Sequence, residues 1–100
     1  MAKEVILMPL ALANYETIIE YLLSDWNEKV TNDFIKRFNQ VCNFILDSPD
    51  IYPYIDKVKR VQRCVLTKHN VIYFVVTPDA VKILTIFDSR QNPEKLLSVF

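Results

Sequence analysis

The side chains best suited to chemistry in this chain are cationic. Lys57, Lys59, Arg60, Arg63 and Lys68 fall in the stretch 57–69, which holds no acid, and His69 closes it. Arg90 stands apart, three residues before Pro93. Clustered Lys and Arg bind anions and steady the charge that builds on a phosphoryl group during transfer. His69 adds a side chain whose ordinary pKa lies near neutrality, so it could serve as a general acid or base. Its place in an expected hairpin turn suits a solvated histidine just as well. The whole run is equally compatible with a solvated strand face.

Other chemistries are excluded early. The chain has no glycine. A phosphate-cradling P-loop, a dinucleotide fingerprint and a nucleophile elbow all need backbone without a Cβ. One histidine and two separated cysteines do not supply a structural zinc site, and no metal or cofactor is expected. Cys42 and Cys64 make no disulfide framework and read as small buried hydrophobes. The net charge is zero, but it is unevenly spread. Residues 1–50 carry four basic and eight acidic groups, and residues 51–100 reverse those numbers. Such a split suggests an anionic partner for the second half.

These residues need a scaffold, and 100 residues with 51% hydrophobic content suit one domain spanning 1–100. The longest uncharged apolar stretch, residues 5–13, is broken by Pro9 and is too short to cross a membrane. Met1-Ala2-Lys3-Glu4 lacks the pattern of a secretory leader, so the cytoplasm is expected. Glu4 to Met8 reads as a strand ended by Pro9. Ala11, Tyr15, Ile18 and Leu22 then recur at helical spacing, with Leu12, Ile19, Leu23 and Trp26 widening the stripe. Ser24 to Asn27 breaks the pattern, and Asn27 is a plausible N-cap. Val30, Phe34, Phe38, Val41 and Ile45 predict a second helix that stops near Asp47, because Pro49 disfavours helical geometry at Ser48.

Asp50 to Asp56 reads as loop. Val58 to Lys68 predicts a strand with Val61, Arg63, Val65 and Thr67 on one face and Arg60, Gln62 and Lys68 on the other. At the following turn, Asn70 tolerates positive φ in place of glycine. Val71 to Thr77 is nearly all apolar, as in a central strand buried on both faces. Thr77-Pro78-Asp79-Ala80 predicts a type I turn before a last strand, Val81 to Phe87. The order predicts an α+β domain, βααβββ, with a helical hairpin packed on a small, mainly antiparallel twisted sheet. The first strand is expected at one edge.

Four stretches carry a likeness to a known family: Ala13 to Leu22, Phe38 to Pro49, Arg63 to Val76 and Ile83 to Pro93, the last containing Asp88-Ser89-Arg90-Gln91-Asn92-Pro93. In order and spacing they resemble the RelE/ParE superfamily of bacterial toxins across nearly the whole chain. The resemblance implies the toxin of a type II toxin–antitoxin system, which inhibits growth and stabilises the plasmid that carries it. It also implies a cognate antitoxin that wraps the toxin's sheet and helices. RelE-like members cleave messenger RNA on the ribosome, whereas ParE-like members are described as poisons of DNA gyrase without nuclease chemistry.

Carried over by position, Arg90 matches the family's basic residue after the last strand. Asn70 stands where RelE-like nucleases often have arginine, and Leu96 where they have tyrosine. Tyr73 aligns with a family aromatic but falls within the apolar strand, where core packing suits it. Zero net charge and a pI of about 6.6 also suit a ribosome-docking protein poorly. The ParE-like branch is therefore favoured. Arg63, His69 and Arg90 are the candidate catalytic residues if RNA is cleaved. Lys59, Arg60, Arg63, Lys68 and Arg90 are the candidates for binding a target or anion, with Arg63 reaching across the sheet toward Arg90. Pairing of these cations with carboxylates such as Asp88 is the plainer alternative. A third reading is a chain that only binds its partner, through Trp26, Tyr52, Tyr54 and the tail Leu96 to Phe100. That tail could equally fold back over the sheet.

Overall fold

The computed structural model describes residues 4–100. The Met1–Lys3 segment considered above for a leader lies outside the described residues. Strand β1 (Glu4–Leu7) ends two residues before Pro9, which occupies the first turn of helix α1 (Pro9–Asp25). Proline fits there because its missing N–H has no helical partner at that position. Trp26 closes α1 by donating its N–H to Leu22 O at 3.1 Å. Asn27 then caps helix α2 (Glu28–Asp47), its side-chain oxygen accepting the Val30 N–H at 2.9 Å. The expected stop before Pro49 holds, with the Ser48 N–H donating to Phe44 O. None of the described helices is long and apolar enough to cross a membrane.

The two helices differ in how they use their apolar residues. In α2 the buried face is Thr31, Phe34, Phe38, Val41, Cys42 and Ile45, so Thr31 rather than Val30 takes the first buried position. In α1 only Ala11 is fully buried, with Tyr15, Ile18, Ile19 and Leu22 packed partly beside it. Tyr15 meets the Phe38 and Phe34 rings at 4.8 and 6.0 Å. Leu12, Leu23 and Trp26 do not widen this face as expected; all three are exposed. A helix lying on a sheet and against one neighbour can cover only part of its circumference, and α1 is apolar over more than that part.

Five strands form one sheet in the order β1-β5-β4-β3-β2. The segment read as loop contains a 3-10 turn (Pro49–Ile51) and a three-residue edge strand, β2 (Tyr54–Asp56). Its brevity and its Pro53 hid it from periodicity. Strand β3 (Val61–Val65) is shorter than expected, because 57–60 forms the turn from β2. Arg60 is the one residue with positive φ among those described, at 60°, so the left-handed position falls there and not at Asn70. Asn70 instead opens β4 (Asn70–Val76) and closes its turn side chain to side chain, donating to Thr67 Oγ1 at 2.9 Å. Strand β5 (Ala80–Asp88) follows the turn in which the Thr77 N–H donates to Ala80 O at 2.8 Å. It pairs antiparallel with β4 and parallel with β1.

The sheet has two covered faces. Ile72, Phe74, Val81, Ile83 and Ile86 meet the helices, with Cys42 and Cys64 among them as free thiols. Burial pushes the Cys42 thiol up to about 11, with Cys64 adding to the effect, so both behave as small apolar groups. The opposite face gathers Val61, Val71, Tyr73 and Phe87, and Leu96 and Phe100 from the tail fold back onto it. Tyr73 is thus a core residue, with its ring edge toward Phe87 and 5.7 Å from Phe100. Tyr52 is also half-buried, edge-on to Phe74, whereas Tyr54 and Leu97 are exposed.

Among the described residues, Gln62 is the one buried polar residue that ties distant segments of chain together through two contacts. At 1% exposure, its Nε2 donates to Pro49 O at 2.7 Å and Tyr52 O at 3.1 Å, fixing the 3-10 turn against β3. Replacing it with leucine leaves both carbonyls without that donor. Gln62→Leu is expected to cost about 2 kcal/mol, read as a lower urea midpoint at unchanged slope. An unshifted midpoint would show that water replaces the amide at no cost.

Candidate functional site

A cleft opens at the end of the hairpin where α1 gives way to α2. Its apolar wall is Ile18, Tyr21, Leu22, Trp26, Val30 and Phe34. Its polar wall is Asp33 and Arg37 from α2, Thr67 to Asn70 from the β3–β4 turn, and Asp88 and Arg90 from the end of β5. The volume is about 800 Å³. A smaller recess continues from it along β5, bordered by Asn14, Thr85, Ile86, Phe87 and Gln91. There β1 no longer covers the strand edge, and Asn14 Oδ1 accepts from the Ile86 N–H at 3.1 Å and the Thr85 hydroxyl at 2.7 Å.

Of the candidate catalytic and anion-binding residues, Lys68, His69 and Arg90 line this cleft, and so does Trp26, singled out for partner binding. His69 is held by its backbone, its carbonyl accepting the Ser89 N–H at 2.8 Å, which ties the β3–β4 turn to the segment carrying Arg90. Arg90 is not free. Its Nε and Nη2 donate to the two Asp88 oxygens at 3.0 and 2.7 Å, and its backbone N–H donates to Oδ1 at 2.9 Å. The side-chain hydrogen bonds from Arg90 are the main cause that holds the Asp88 carboxyl down at about 2.

Arg63, Lys59 and Arg60 lie elsewhere. Arg63 sits opposite Tyr73, which sits opposite Thr85, and it shares the tail-covered face with Val61. Two strand spacings and three residues of rise separate Arg63 from Asp88 by roughly 14 Å at Cα. Arg63 therefore does not join Arg90, whose guanidinium is committed to Asp88. Lys59 and Arg60 belong to the β2–β3 turn, where the Lys59 ammonium contacts the Phe100 carbonyl. The cation that sequence reasoning passed over is Arg37, one residue before Phe38 on the flank of the buried stripe. Its Nε donates to Leu66 O at 3.1 Å and its Nη1 to Gln40 Oε1 at 3.3 Å. Adjacency to the stripe at Phe34 and Phe38 was the available signal. Among the described residues, no group of three His, Cys, Asp or Glu side chains is placed to hold a metal.

The Asp88–Arg90 pair has a pH signature. The Asp88 carboxyl is depressed in the folded chain, so its contribution is present above the ordinary carboxylate pKa near 4 and fades as pH falls toward about 2. Acid titration of unfolding is expected to flatten between about pH 4 and pH 2 in Asp88→Asn relative to the parent. Identical slopes in that window would mean that solvent screens the pair completely.

The model of one protein family, described as the ParE toxin of the type II toxin-antitoxin system parDE, matches residues 5–93. The match takes in both helices, strands β2 to β5 and all of β1 but Glu4. No curated protein matches the chain. With the greater part of its length under that match and an α+β fold to suit, this chain belongs to the ParE toxin family of type II toxin–antitoxin systems.

Proposed function

We propose that this chain arrests growth by binding an essential cytoplasmic target rather than by cutting RNA, and that a cognate antitoxin neutralises it. DNA gyrase is the target that ParE kinship suggests. Such a pair would stabilise the plasmid or locus encoding it. One observation carries the preference for binding over cleavage: three of the candidate cations lie outside the cleft and a fourth is held by Asp88. Metal-independent RNA cleavage needs a base at the 2′-hydroxyl, positive charge at the phosphorane and an acid at the leaving oxygen, all within reach of one phosphate. Arg63 faces the tail, Lys59 and Arg60 sit at the far turn, and Arg90 is engaged by Asp88. Lys68, Arg37 and Arg90 are the residues we assign to target or partner binding. A second reading, ribosome-dependent endoribonuclease, draws support from His69, the one imidazole in the cleft, beside Lys68 and Arg37.

Regulated expression in a bacterial host, with and without the adjacent gene, tests both readings. Growth arrest with broken DNA and intact messenger ends is expected, and co-expression should relieve it. Codon-phased RNA ends would replace the gyrase reading with the nuclease one. Unimpaired growth with soluble protein would leave a chain that only binds its partner. Arg90→Ala is expected to raise survival at least tenfold; undiminished killing would remove Arg90 from the site.

A further inference from the structure

We propose that the β2–β3 turn, residues 57–60, is a contact for duplex DNA, entering the major groove and setting Lys57 and Arg60 against backbone phosphates. The turn lies at the opposite end of β3 from the cleft. The inference goes beyond the target reading above and stands whether or not that reading does. It gives the basic half of the chain, which the cleft does not use up, its anionic partner.

Three observations carry it. The first is charge without a counter-ion. Lys57, Lys59 and Arg60 are exposed together, and Arg63 follows three residues on, half-buried. Among the described residues, the ion pairs are Lys29 with Asp33 and Arg90 with Asp88, so no carboxylate lies within ion-pair distance of these four. Lys59 is turned to the Phe100 carbonyl, which leaves Lys57, Arg60 and Arg63 for a ligand. Asp56 braces the turn, its Oδ1 accepting the Lys59 N–H at 2.9 Å, and one acid leaves the turn net positive. The second is strain at a cationic residue. Arg60 has a φ of 60°, in the region where a Cβ is crowded and glycine or asparagine is at ease. Backbone held this way gathers at binding sites, where it aims a side chain. The third is shape. β2 is the outer strand of the sheet, so β2 and β3 make a two-stranded ribbon with a free flank. Val58 at its tip is 93% exposed. The major groove of B-DNA, about 12 Å wide, admits such a ribbon, and its thymine methyl groups suit an apolar tip. The deep, narrow major groove of duplex RNA does not admit it. A single strand calls for stacked aromatics, and residues 57–60 hold none. One apolar side chain at the tip offers little area to a lipid surface.

The test titrates the full chain into a fluorescein-labelled DNA duplex of roughly 20 base pairs, read by anisotropy from about 50 mM salt upward. Binding is expected, with a slope of log affinity against log salt of about −2.7 for three phosphate contacts. Lys57→Ala combined with Arg60→Gly should weaken binding at least tenfold and bring the slope to about −0.9. Arg60→Gly alone should bind more weakly yet melt no lower than the parent, because glycine relieves the left-handed position. A residue with a purely structural role would not separate the two readouts in that direction. Lys36→Ala, on the exposed side of α2, should bind as the parent does. No binding by the parent at the lowest salt would overturn the proposal. So would binding that the turn variant leaves intact, or that Lys36→Ala weakens equally. Equal or tighter binding of a single strand or an RNA duplex of the same length would assign the turn to another nucleic acid. Sedimentation with phosphatidylglycerol vesicles, lost in the turn variant and without DNA binding, would assign it to a membrane surface. Either assignment would overturn the proposal, and none of these results bears on the growth-arrest reading, which the expression experiment tests separately.

Discussion

Strand β4 has no polar face. Val71, Ile72, Tyr73 and Phe74 are consecutive and all buried, so both sides of the sheet at its centre must be shielded from water. Each such side chain is worth about 1.5–3 kcal/mol when removed from water, more than any single hydrogen bond here. One side is closed by the α1–α2 hairpin through Phe34, Phe38, Val41 and Ile45. The other is closed by the tail, through Leu96 and Phe100. The hairpin therefore lies flat on the sheet, and its loop end, at Trp26 and Asn27, projects beside the β3–β4 turn. The cleft is the gap left between them.

The same constraint sorts the cations. Residues alternate across a strand, so Gln62 and Cys64 go under the helices and Arg63 goes to the tail side. Arg63 is thereby removed from the cleft although it lies only five residues before Lys68. Lys68 and His69 escape this alternation because they sit in the turn. Arg37 reaches the cleft from the flank of α2, anchored by its bond to Leu66 O at the end of β3. Two segments far apart in sequence thus supply one positively charged rim. Asp88 and Asp33 take Arg90 and Lys29 out of that balance.

Much of the fold could be read from residue order because its causes are local. Asn27 caps a helix wherever a helix begins, and Pro49 disfavours one at Ser48 in any context. The apolar run of β4 needed no partner to be recognised. Strand β2 was missed because three residues carry no period, and its pairing with β3 is a long-range gain. The positive φ was assigned to Asn70 on propensity alone. It fell to Arg60, because the turn there must reverse the chain within four residues and no glycine was at hand.

The helices, the central strand, the cysteines' burial and the uneven spread of charge follow from residue order alone, since each depends on side-chain type and short spacing. Which cations share a surface was decided only by tertiary structure. Strand register sent Arg63 to one face, and backbone closure tied His69 to Ser89. Helix placement brought Arg37 beside Lys68 across thirty-one positions of chain. Periodicity fixes the face a residue takes within its own element, but only packing fixes which elements meet.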